Sequence, residues 1–186
     1  MKKRIALVYG DPAGAGPDRV ALFLKEHHSK FTPVIAGNEP VYTASLSRIV
    51  PDLIDQFPVY TVPIGKVIRG EPNRESASTL IASLYIAGEL AAHRRVDAIA
   101  VTSVDYAALS QIDPSIRDGA SLLSHVFPDV AFSPSFFLVS RGVTLYRGLS
   151  VPVLFDSADA EPQLAGKNQA DPQSLCDLLT VIETQL

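Results

Sequence analysis

Ile5-Ala6-Leu7-Val8-Tyr9-Gly10-Asp11-Pro12-Ala13-Gly14-Ala15-Gly16-Pro17-Asp18 is the stretch that decides the fold. Its first five residues form an unbroken apolar run of strand length, the pattern of a parallel strand buried on both faces. From Asp18 onward Val20, Leu22, Phe23 and Leu24 fall at helical spacing, which predicts a helix over 18–29. Between them lies a loop of small residues. Three glycines give that loop access to positive φ and let another group approach the backbone closely. Pro17 suits the first position of a helix, where a missing N–H costs nothing. A helix start exposes unpaired N–H groups and a partial positive charge, so it attracts a phosphate or carboxylate. Gly10, Asp11, Gly14 and Gly16 are therefore candidate ligand-binding residues. The glycine spacing matches neither the dinucleotide fingerprint nor the P-loop. A tight strand-to-helix turn without a ligand fits the same residues, with Asp11 accepting N–H bonds inside its own turn.

Strand and helix alternate outward from this loop. Pro33-Val34-Ile35-Ala36 reads as a second strand and Val59-Tyr60-Thr61-Val62 as a third. Asn38 can cap a helix over 40–50 that ends before Pro51. A polar loop from Gly65 to Arg74 leads to the longest helix, 75–94, with Leu80, Leu84, Ala87, Leu90 and Ala91 on one face. Residues 97–102 form the next strand, followed by a helix over 106–111. The pattern then turns to strands at 130–139, 143–147 and 151–155. A last helix opens at Asp171-Pro172. This order predicts an α/β fold, a mainly parallel sheet with helices on both faces.

Several blocks of this chain resemble the 4-hydroxythreonine-4-phosphate dehydrogenase family. They are the Gly10–Pro17 loop, Gly70-Glu71-Pro72 with Ser76-Ala77-Ser78, and Val96-Asp97-Ala98-Ile99-Ala100-Val101-Thr102 with Ala107-Ala108-Leu109. Gly142-Val143-Thr144 through Gly148-Leu149, Ala165-Gly166-Lys167 and Ala170-Asp171-Pro172 complete the set. The resemblance implies an isocitrate/isopropylmalate dehydrogenase-like architecture, with residues 1–186 as one α/β domain and a second lobe reduced to a few strands at about 115–155. It also implies a nicotinamide cofactor (NAD), a phosphorylated hydroxy acid as substrate and a homodimer. Phe132, Phe136 and Phe137 are candidates for apolar surface at such an interface, or for core.

The chain departs from that family where the chemistry lies. Asp118-Gly119-Ala120-Ser121 and Asp156-Ser157-Ala158-Asp159-Ala160-Glu161 occupy places where the family carries histidine motifs. The family's substrate asparagine maps to Thr144 and its substrate arginine to Val153. Oxidising a β-hydroxy acid and then decarboxylating it needs a cation to polarise the carbonyl, and imidazole is the usual ligand for such a metal. The four histidines are His27, His28, His93 and His125. The first three sit at helix ends, where a cation complements the helix dipole, and the adjacent pair chelates poorly. His125 is the remaining candidate, so no metal is expected. Thr102 and Ser103 fall at a strand's C-terminal end, where open α/β sheets place ligands. Asp105, Tyr106 and His125 are candidate acid–base groups, although Asp105 equally suits a helix cap. Lys167 can pair with a phosphate or lie solvated in its turn.

Composition sets the outer limits. A chain of 186 residues with 47% hydrophobic content supports one buried domain. A net charge of −4 argues against a nucleic-acid surface. The single cysteine, Cys176, precludes an internal disulfide and suits a reducing, cytoplasmic setting. No apolar run reaches membrane-spanning length, and the first strand starts too early for a signal peptide. Two functions remain open: a dehydrogenase of the family, with His125, Asp156 or Asp159 replacing the metal ligands, or a non-catalytic relative that binds an anionic small molecule or a protein partner.

Overall fold

The computed structural model describes residues 2–186. One seven-stranded sheet organises them, built from β1 (Arg4–Val8), β2 (Thr32–Gly37), β3 (Val59–Thr61), β4 (Ala98–Val101), β5 (Ser133–Phe137), β6 (Val143–Arg147) and β7 (Val153–Asp156), in the order β3-β2-β1-β4-β7-β6-β5. The pairs β1–β2, β2–β3, β1–β4 and β4–β7 are parallel, whereas β6 runs antiparallel to both β5 and β7. Only β6 therefore runs against the rest.

Six helices cover the two faces: α1 (Gly16–His27), α2 (Glu39–Ile49), α3 (Arg74–Ala92), α4 (Tyr106–Leu109), α5 (Gly119–Val126) and α6 (Gln173–Gln185). Alternation along β1 shows how the layers divide. Ile5 and Leu7 join Phe23 and Leu24 of α1, Leu46 of α2 and Leu178 and Ile182 of α6. Ala6 and Val8 face the other way, onto Leu80, Leu84 and Ala87 of α3 and Leu122 and Leu123 of α5. Side chains two residues apart share a face of a strand, so one all-apolar run feeds both cores.

Caps set the helix starts. Asn73 holds the Ser76 amide at 2.9 Å, and Ser76 returns a bond to the Asn73 amide, a reciprocal box. Asp118 and Ser121 repeat that box at α5. This helix, Gly119–Val126, is not among the expected elements, which run from the helix at 106–111 directly to strands at 130–139. Residues 115–155 supply α5, β5, β6 and most of β7, and the three strands extend the one sheet. The last helix begins at Gln173, with Asp171 accepting the Gln173 N–H at 2.9 Å. Strand β5 forms an open edge, where Phe136 is 68% and Leu138 is 87% exposed. Phe132 and Phe137 are half-buried and pack against the two cores.

The sheet order places the functional crevice. From β1 the chain moves outward to β2 and β3, then α3 carries it back across to β4 on the opposite side of β1. Loops after β1 and β4 thus diverge, and the gap between them is where open α/β sheets bind ligands. The C-terminal end of β7 borders the same edge.

Candidate functional site

Residues 9–20, the whole glycine loop and the first turns of α1, are buried. Each glycine is required by the protein's own backbone. A Cβ on Gly10, at φ +79°, would lie 2.0 Å from Thr102 O. One on Gly16 would lie 1.7 Å from Tyr9 O, and one on Gly14 would lie 2.5 Å from Ala160 O. The donors of the loop are also engaged internally. Asp11 N–H bonds Ser103 O at 3.2 Å, Gly14 N–H bonds Asp11 O at 3.0 Å and Ala15 N–H bonds Ala160 O at 2.7 Å.

Asp11 closes the loop on itself. Its Oδ1 accepts the Ala13 N–H at 2.7 Å, an Asx turn, and its Oδ2 accepts the Ser76 hydroxyl at 2.8 Å. Burial pushes its carboxyl up to about 6 from an ordinary 3.8. The folded state therefore holds this proton over a pH range in which the unfolded chain has released it. The contribution of Asp11 to stability is greatest below about pH 4 and falls as pH rises to about 6. The full span is ~3 kcal/mol. Replacing Asp11 by Asn removes that loss. Urea unfolding at pH 4 and pH 7 is expected to show the variant gaining about 2–3 kcal/mol on the native chain between the two pH values. A constant difference contradicts the assignment.

Two charged residues in the first turn of α1 point in different directions. Asp18, fully buried, accepts the Ser45 hydroxyl at 2.6 Å, the Gly166 N–H at 2.7 Å and Arg48 Nη2 at 2.5 Å. Arg69 Nη2 stands 3.2 Å from the same carboxylate. Arg19 is 1% exposed and points toward the segment after β7. Its guanidinium donates to Ser103 Oγ, to Asp171 O at 3.0 Å, to Asp159 O at 3.3 Å and to the Glu161 carboxylate. Ser103 and Glu161, neither of them glycine, both adopt positive φ, +58° and +43°. Such strain persists where surrounding contacts over-determine it, and it gathers at functional sites. At the end of β7, burial pushes the Asp156 carboxyl up, while Thr102 Oγ1 donates to it at 2.5 Å.

A groove of about 280 Å³ opens beside this cluster, lined by Val104, Asp105, Tyr106 and Ala107 on one wall and Asp159, Ala160, Glu161 and Pro162 on the other. Asp105 caps α4 through the Ala108 N–H at 2.8 Å. Burial pushes the Tyr106 hydroxyl up, so it stays a neutral donor at physiological pH. That volume is just below the range of about 300–1,000 Å³ usual for small-molecule sites.

The structure thus gathers Gly10, Asp11, Gly14, Gly16 and Thr102 at one edge of the sheet, with Asp105 and Tyr106 on the groove wall. His125 and Lys167 are not drawn in. His125 lies on α5, its Nδ1 3.2 Å from Asp113 Oδ2. Lys167 is exposed in the turn after Leu164, and only the neighbouring Gly166 amide reaches Asp18. The other imidazoles are dispersed. His28 Nδ1 lies 2.8 Å from Leu24 O, His93 Nδ1 lies 2.8 Å from Glu89 O, and His27 Nε2 lies 3.3 Å from the half-buried Cys176 Sγ. Among the described residues no three His, Cys, Asp or Glu side chains converge to hold a metal ion. The donor set does not fit the metal centre that the family resemblance implies. Reading the sequence missed Arg19 and Glu161, which are 142 positions apart and carry no joint motif.

An open α/β sheet with a crevice at its switch point defines the class: a doubly covered, mainly parallel α/β fold. It is the fold of the 4-hydroxythreonine-4-phosphate dehydrogenases. The chain is similar to a solved 4-hydroxythreonine-4-phosphate dehydrogenase from Burkholderia phymatum, with TM-score 0.76 and 12% identity over 96% of this chain and 97% of that one. It is similar also to a putative 4-hydroxythreonine-4-phosphate dehydrogenase from Salmonella typhimurium, with TM-score 0.79 and 12% identity over 97% and 98% of the two chains. A terephthalate 1,2-cis-dihydrodioldehydrogenase from Burkholderia xenovorans LB400 matches with TM-score 0.71 and 12% identity over 98% of each. No protein-family model matches the sequence, and no curated protein does. Among the described residues no helix is long and apolar enough to cross a membrane.

Proposed function

We propose that this chain binds a small acidic metabolite, bearing phosphate or carboxylate, in the crevice outside the carboxyl ends of β1, β4 and β7, without metal-dependent hydride transfer. Arg19 carries the reading. Its guanidinium lies almost wholly out of water at a switch point, faced by the partly exposed Glu161 carboxylate, and a guanidinium is suited to bidentate recognition of an oxyanion. The dispersed histidines support the second half of the proposal, because polarising a carbonyl for oxidation and decarboxylation calls for a bound cation. Asp105 and Tyr106 on the groove wall would orient the ligand's hydroxyl groups.

NAD-dependent oxidation of a phosphorylated hydroxy acid is the alternative, and it is supported by the sequence resemblance and by the 4-hydroxythreonine-4-phosphate dehydrogenases among the similar structures. The assay that separates the two follows nicotinamide reduction with a panel of phosphorylated hydroxy acids, with Zn²⁺ or Mg²⁺ supplied. No turnover above the protein-free rate is expected. Metal-dependent turnover restores the dehydrogenase reading. The same proposal takes exposed Phe136 and Leu138 on the open β5 edge as a self-association surface, giving a homodimer in sedimentation velocity. A single monomeric species contradicts that part.

A further inference from the structure

The acidic partner of Arg19 comes from an irregular segment, residues 157–170, that lies across the crevice. Between Asp156 and Ala170 the chain contains no strand or α-helix, only a short 3-10 turn at Pro162–Leu164. Of these fourteen residues only Ala160 and Ala170 are buried. Its attachment is polar and falls mainly on α1 and the loop before it. Ala160 O accepts the Ala15 N–H, Asp159 O accepts from Arg19, Glu161 pairs with Arg19 and the Gly166 N–H bonds Asp18. One isolated bridge joins Asp159 to Val104. Segments with little buried apolar surface and contacts of this kind open at low free energy relative to the core.

We propose that residues 157–170 form a displaceable strap, with the Glu161 carboxylate occupying on Arg19 the seat of a ligand's oxyanion group. Glu161 supplies what a buried guanidinium needs, and its side chain is 34% exposed, so it can leave for water without being stranded. Glu161 holds a left-handed backbone, φ +43°, at a local conformational cost that is relieved on release. Strap and groove are continuous. Asp159, Ala160, Glu161 and Pro162 form one groove wall, so lifting them deepens the groove toward Arg19 and Ser103. An arriving phosphate or carboxylate then takes the Arg19 donors and the Ala15 N–H that the strap had covered. This inference rests on the oxyanion reading of the crevice and adds to it an internal competitor.

The test compares the native chain with Glu161→Gln and Asp159→Asn. Both variants remove one negative charge from the strap, but only Glu161 contacts the guanidinium through its carboxylate. In ligand-free protein, amide hydrogen exchange across 157–170 is expected to accelerate at least about tenfold in Glu161→Gln and little in Asp159→Asn. Calorimetric titration with inorganic phosphate and, separately, malonate is expected to show at least about tenfold tighter binding in Glu161→Gln for whichever oxyanion the site takes. Unchanged exchange in Glu161→Gln overturns the strap, whatever the native chain binds. Faster exchange with no gain for either anion overturns the competition, as does an equal gain in Asp159→Asn. If Glu161→Gln fails to fold, Glu161→Asp, one methylene too short to reach the guanidinium equally, is read in the same way.

Discussion

Substituting alanine for Gly16 is expected to cost at least about 4 kcal/mol, lowering the melting temperature by roughly 10 °C in a chain of this size. The added Cβ would stand 1.7 Å from Tyr9 O and 2.9 Å from Tyr9 C. Both are backbone atoms, so no side-chain rotation relieves the overlap. Tyr9 is also held at its far end, its hydroxyl donating to Asn38 O at 3.0 Å, while a Cβ on Gly37 would meet its ring at 2.3 Å. Relief would require β1 to separate from α1, and that would open the core around Leu7, Val20 and Phe23. Gly166→Ala supplies the contrast. Its Cβ meets nothing within 4 Å, so only the strain of φ +77° remains, about 1–2 kcal/mol. Thermal unfolding followed by circular dichroism checks both. A Gly16→Ala variant within 1 kcal/mol of the native chain would contradict the backbone account of the loop.

Asp18→Ala is expected to destabilise the fold by about 3 kcal/mol, read by urea unfolding. The carboxylate stands between two arginines and also satisfies Ser45 and the Gly166 amide. Without it the two guanidinium groups face each other with no counter-charge. Arg48 and Arg69 keep 36% and 28% of their side chains in water, which holds the cost at the lower end for a broken buried pair. Burial already lowers the affinity of Arg69 for its proton, and the neighbouring Arg48 adds to this. Asp18→Asn keeps the shape and loses the charge, so it should fall between the native chain and Asp18→Ala. A loss below 0.5 kcal/mol for Asp18→Ala would show that the network contributes nothing to folding.

Much of the architecture was legible because it rests on local periodicity. The run Ile5–Tyr9 could only be a strand buried on both faces. Asn38 could be recognised as a cap from its neighbours, and its Oδ1 accepts the Val41 N–H at 3.3 Å. Helix α5 was overlooked although Asp118 and Ser121 carry a capping signal, because a helix of eight residues gives little periodicity. The glycine loop was read in the right place, but its ligand role and its packing role share one signature. A glycine admits the chain's own carbonyl as readily as a phosphate. Only the position of Thr102 O, Tyr9 O and Ala160 O separates the two. Arg19 and Glu161 were beyond reach for another reason. Their pairing depends on the return of the chain after β7 to the start of α1, a long-range contact that no local pattern encodes.

The most direct measurement is thermal shift of the purified chain against phosphorylated hydroxy acids, NAD⁺ and Zn²⁺, separately and combined. A ligand that binds the native state raises the melting temperature by mass action. The account predicts a rise with a phosphorylated or carboxylic acid alone, unchanged by NAD⁺ or Zn²⁺. A rise that requires NAD⁺ and grows with Zn²⁺ would contradict it.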